Sequence, residues 1–110
     1  MGEMQRQRVA LAPDHPAFAG HFPGQPLLPG VVLLSEVLEV LLREAPDWLA
    51  GQARVSAAKF LAPVRPGAGL EVRWTPPAAG RLRFEVWRHA EGDPADGVLA
   101  ASGQLEQGAP

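Results

Sequence analysis

Residues 20–44 read GHFPGQPLLPGVVLLSEVLEVLLRE. The first half is stiffened by Pro23, Pro26 and Pro29, which fix φ and limit the unfolded chain. The second half is the one long apolar helix pattern in the chain. Apolar residues stand at 31–34, 37, 38 and 40–42, and Ser35, Glu36, Glu39 and Arg43 fall in one arc about 100° wide. The spacing predicts a helix from Val31 to Arg43 or Glu44, with Pro29 in its entry turn and Ala45-Pro46-Asp47 as its stop. A helix this apolar is expected to be buried on most of its circumference. His21 then sits in a rigid loop beside a helix start, where backbone N–H groups lack intrahelical partners.

Around this junction the chain is simpler. Val9 and Leu11 alternate weakly within Arg6–Ala12, a short expected strand that Pro13-Asp14 ends. Asp14–Gly30 is a loop with four prolines and three glycines, long enough to imply a functional reason. Trp48-Leu49 adds an apolar turn after the helix. Arg54–Val64, Leu70–Trp74, Arg81–His89 and Val98–Glu106 read as strands, separated by RPGAG, PPAAG and EGDPADG. Such short breaks predict an antiparallel meander. Leu82-Phe84-Val86 set against Arg81, Arg83, Glu85 and Arg88 predicts one face on the helix and one in water. The expected class is α+β: about five antiparallel strands wrapped around one central helix, one domain over 1–110, with edges that dimerisation would cover.

Composition narrows the function. The 110 residues carry a net charge of −2, which gives no footprint for nucleic acid or an anionic membrane surface. With no cysteine, disulfides, thiol nucleophiles and Cys-type zinc sites are excluded, and a reducing, cytoplasmic location is expected. The N-terminus has no signal-peptide core, Arg6 disfavours myristoylation, and no apolar run reaches membrane-spanning length. No histidine pair has metal-ligand spacing, and neither a G-x-S-x-G elbow nor a phosphate-cradling loop occurs, so no cofactor or metal is called for. His15 and His89 read as turn and strand-end residues. Trp48, Trp74 and Trp87 read as core or interface aromatics.

The stretch GHFPGQPLLPGVV resembles the signature of hot-dog-fold 3-hydroxyacyl-thioester dehydratases that act on acyl-carrier-protein substrates, and KFLAPVRPGAGL (Lys59–Leu70) resembles a second patch of that family. HPAFAGHFPGQPLLPGVVLL looks most like its divergent aryl-polyene branch. The resemblance implies a dehydratase of fatty-acid or polyene biosynthesis, with His21 as base and the Gly30 N–H polarising the thioester carbonyl. Phe22, Pro29, Gly30 and Val31 would flank the substrate. It implies an acyl-carrier-protein or coenzyme A thioester as partner, and a homodimer or higher homo-oligomer sharing the site. The sequence departs from the family in one place. The carboxylate expected fourteen residues after the histidine is Ser35, followed by Glu36. Ser35 with a water, or Glu36, is the expected proton source. The alternatives are a non-catalytic acyl-thioester-binding or partner subunit, and an acyl-thioesterase relying on Glu36 or Glu39. For both glutamates a solvated face or a subunit contact is the plainer reading.

Overall fold

The computed structural model describes residues 4–10, 30–50, 52–65 and 67–107. Strand β1 (Gln5–Ala10) is followed by helix α1 (Gly30–Glu44) and the short helix α2 (Pro46–Leu49). Strands β2 (Ala53–Phe60), β3 (Gly69–Trp74), β4 (Arg81–His89) and β5 (Val98–Gln107) complete the chain. They form one antiparallel sheet in the order β1-β3-β4-β5-β2.

Helix α1 begins one residue before the expected Val31, at Gly30, and ends at Glu44 as read. Leu33, Val37, Val40 and Leu41 are fully buried. They meet Leu70, Val72 and Trp74 of β3, Leu82, Phe84 and Val86 of β4, and Ala101 and Leu105 of β5 in one core. The alternation read from β4 is thus the alternation of the sheet. Trp48 and Leu49 of α2 pack at the edge of this core. On the opposite sheet face a polar network replaces apolar packing. Arg73 donates to Glu71 and stacks on Trp87 at 4.3 Å, and Trp87 Nε1 donates to Glu85 at 2.9 Å. Burial pushes the Glu71 carboxyl up, but the Arg73 hydrogen bond and the charges of Arg73, Arg8 and Arg6 outweigh it and hold the group below its ordinary range.

Four expectations need correcting. The helix is less enclosed than its apolar count implies: Val31 is 72% and Leu42 57% exposed, so the outward arc includes apolar residues. The four later strands are not a simple meander. β3, β4 and β5 follow one another, but β2 crosses to the far edge beside β5. The Leu61 and Ala62 amides both donate to the Ala100 carbonyl, at 2.8 and 3.3 Å, so the chain stays beside β5 just after the strand ends. β2 itself stops at Phe60, short of the expected Val64. Arg88, assigned to the wet face, lies opposite the fully buried Leu70 and so belongs to the core-facing side. The first strand ends at Ala10, and Leu11 and Ala12 lie outside the described residues.

Candidate functional site

The first turn of α1 borders an apolar pocket of about 610 Å³. Gly30, Val31, Leu33 and Leu34 of α1 form one wall, and Phe60, Leu61, Ala62 and Pro63 form the other. Phe60 and Leu61 are 52% and 55% exposed, so the second wall stands open to solvent along its outer side. The first-turn amides of α1 have no intrahelical acceptor, which makes the Gly30 end of the pocket a donor site for a carbonyl oxygen. The rest of the lining offers carbon to an acyl chain.

Gly30 is a glycine for a visible reason. A Cβ built there would lie 2.8, 2.9 and 3.1 Å from the tip atoms of the Phe60 ring. No side chain fits unless that ring moves. In the sequence Phe60 reads as a strand residue and as the aromatic of the second patch of the family resemblance. Nothing local announces that a residue thirty positions further on closes over the helix start.

The other expected site residues divide. Val31 lines the pocket with Gly30. Ser35 is exposed and stands one turn beyond Val31, about 40° from it around the helix. Glu36 is half-buried and turned about 100° from Ser35. Neither lines the pocket. His21, Phe22 and Pro29 lie outside the described residues. Among the described residues, no cluster of three or more His, Cys, Asp or Glu side chains is placed to hold a metal ion.

The outer wall is braced from behind by a pair that sequence reading missed. Arg88 donates through Nε and Nη2 to both carboxylate oxygens of Asp93, at 3.0 and 2.9 Å, and through Nη1 to the Pro63 carbonyl at 2.8 Å. The Ala90 amide donates to the same carboxylate at 2.8 Å. This bidentate pair fixes the turn after β4 and ties it to the pocket residue Pro63. The Arg88 hydrogen bond, then the Ala90 amide, hold the Asp93 carboxyl below its ordinary value. A carboxyl depressed in the folded state adds stability above its unfolded pKa and loses it as pH falls through the folded one. The contribution of this pair to Tm is therefore expected to be level from neutral pH down to about pH 5 and to fade below about pH 4. Asp93→Asn should melt lower at pH 7 and show a shallower acid decline. Thermal melts across pH that superimpose for the two proteins would contradict the bracing role.

Residues 2–103 match the family model described as ApeI-like, ApeI dehydratase. The 3-hydroxyacyl-[acyl-carrier-protein] dehydratase FabZ of Thermomicrobium roseum is 35% identical over 98 residues, covering 84% of this chain and 64% of that protein. Its counterpart in Magnetococcus marinus is 32% identical over 100 residues, covering 84% and 63%. The chain thus spans a little under two thirds of the length of these relatives. Among solved structures, an uncharacterized protein from Erwinia carotovora subsp. atroseptica aligns with a TM-score of 0.73 and 30% identity, over 92% of this chain and 79% of that one. The dehydratase heterocomplex ApeI:P from Xenorhabdus doucetiae aligns with a TM-score of 0.71 over 96% of each chain, at 24% identity, a likeness of fold alone. The five-stranded antiparallel sheet with its single long helix is the hot-dog arrangement.

Proposed function

We propose, for a chain that belongs to the ApeI-like dehydratase family, that it removes water from a 3-hydroxyacyl thioester. The observation that carries this reading is that Gly30, the first residue of α1, lines the apolar pocket, where helix-start amides lack intrahelical partners. A thioester oxygen accepting from that N–H gains a donor where negative charge develops as C2 loses its proton. His21 takes the C2 proton as general base. The C3–O bond then breaks, a proton joins the leaving hydroxyl to give water, and a C2=C3 double bond remains. Ser35 through a held water, or Glu36, supplies that last proton. The thioester is carried on an acyl carrier protein or on coenzyme A, and the setting is fatty-acid or polyene synthesis, with aryl polyenes the nearer match. We treat 1–110 as one domain acting in the cytoplasm. Among the described residues no helix is long and apolar enough to cross a membrane.

The test is turnover of a 3-hydroxyacyl thioester by wild type and by His21→Ala. Wild type should form the 2-enoyl product, and the variant should lose at least about 10²-fold in rate, the usual worth of a positioned base. Equal rates at background would end the proposal.

A second reading has support in the placement of Ser35. Its exposed position away from the pocket lining suits an acyl-thioester-binding or partner subunit whose proton source comes from another chain. The relative described as a dehydratase heterocomplex fits that reading. A thioesterase would require Glu36 or Glu39 to orient the attacking water, and release of free thiol from an acyl thioester is the measurement that separates it from dehydration.

Assembly follows from β2. It is an edge strand, exposed from Arg54 through Phe60, with Val55, Phe60 and Leu61 among the exposed large apolar residues. Pairing this edge with a second copy would continue the sheet and cover the open side of the pocket. Sedimentation at micromolar concentration is expected to give twice the chain mass. A stable monomer would refute the homodimer.

A further inference from the structure

We propose that Phe60 is a specificity-determining residue: its ring walls one side of the substrate's C2 and admits only acyl chains unbranched there. The inference rests on the proposed use of Gly30 as carbonyl donor. With the thioester oxygen about 3 Å from the Gly30 nitrogen, C2 lies within about 5 Å of that backbone, one bond beyond the carbonyl carbon. The tip of the Phe60 ring occupies that neighbourhood already. Its Cζ and both Cε atoms lie 2.8–3.1 Å from where a Gly30 Cβ would stand. A methyl group cannot be accommodated on the glycine, and a methyl branch at C2 on that side meets the same ring.

The ring's base is anchored. The next two residues, Leu61 and Ala62, both donate their amides to Ala100, and Pro63 is held by Arg88. These bonds hold the strand end in place, so the ring yields by rotating about its own side-chain bonds toward its exposed side. Among the described residues, the other lining side chains are aliphatic or prolyl. The three described atoms nearest to a Gly30 Cβ all belong to the Phe60 ring, which puts that ring beside the carbon next to the thioester.

Binding rather than turnover tests this. Wild type, Phe60→Ala and Phe60→Leu would each be titrated with butyryl-pantetheine and with both epimers of 2-methylbutyryl-pantetheine, neither of which can dehydrate. Wild type should bind the unbranched thioester at least about tenfold more tightly than one epimer, the scale of a single misplaced methyl. Phe60→Ala should narrow that ratio to below about threefold, with Phe60→Leu between. An unchanged ratio in both variants, a wild type that treats all three ligands alike, or a wild type that binds none overturns the inference. Should Phe60→Ala fail to fold, the Phe60→Leu ratio decides alone. A chain that discriminates in binding yet fails the His21 comparison would keep the inference and sink the dehydratase reading. A chain that dehydrates without discriminating would do the reverse.

Discussion

Ser35→Glu is expected to raise dehydration of 3-hydroxyacyl thioesters by about 10²–10⁴-fold, the range a well-placed general acid contributes. The substitution restores the carboxylate that the family resemblance places fourteen residues after the histidine. Val31 lines the pocket, and Ser35 lies about 6 Å further along the helix axis and about 40° around it. A serine hydroxyl at that place needs a water to reach a leaving group, whereas a glutamate brings its own proton two bonds closer. The exposed position makes the change cheap. Its one evident cost is a like charge four residues before Glu39, about 0.2–0.5 kcal/mol. That is small beside the roughly 2.7 kcal/mol of barrier that a hundredfold gain represents. Steady-state rates on one substrate, with melting temperature as a control for folding, make the comparison. No gain in a well-folded variant that still binds acyl-pantetheine would move the balance to the partner-subunit reading, in which the acid belongs to another chain.

What the sequence discloses here tracks how local the determining contacts are. The helix from Gly30 to Glu44 was readable to within one residue because its periodicity and its stop at Ala45-Pro46 are contained in the segment. The buried face of β4 was readable from Leu82, Phe84 and Val86 for the same reason. Arg88 continues that series by parity and faces the core side opposite Leu70, while its charge alone points to water. A bidentate partner five residues later and a carbonyl at Pro63 make its half-buried place affordable. The position of β2 was not legible, since an edge is chosen by pairing with β5, more than forty residues away along the ladder. The pocket inherits that limit. Its helix wall was visible in the motif, and its Phe60–Pro63 wall depends on where β2 lands. The resemblance marked both stretches, yet said nothing of how they touch.

The largest stability effect is expected at Gly103, and it follows from the same strand placement. Gly103 sits in β5 between Phe84 of β4 and Ala58 of β2, on the core side of the sheet. A Cβ there would overlap the Phe84 ring at Cζ and approach its Cε2 to 2.8 Å and the Ala57 carbonyl oxygen to 2.5 Å. Phe84 is 1% exposed and sits in the core, where close packing resists displacement of a ring. The carbonyl belongs to backbone where β2 shifts register between Val55 and Ala57, an irregularity that brings the strand in close over a residue without a side chain. Gly103→Ala must therefore move both a packed ring and a main chain, and the cost should sit at or above the upper end of the about 1–3 kcal/mol typical of overpacking. In a domain of this size that lowers Tm by about 10 °C or more. Adding Phe84→Leu should recover only part of the loss, because the Ala57 carbonyl stays where it is. Urea and thermal melts of the three proteins measure this, and a Gly103→Ala protein within a degree of wild type would show that β2 does not approach β5 as described. Phe60 lies three residues beyond Ala57 on that strand. Any shift that admits the new methyl group is thus carried to the ring over Gly30, and a folded Gly103→Ala protein should bind acyl-pantetheine more weakly than wild type.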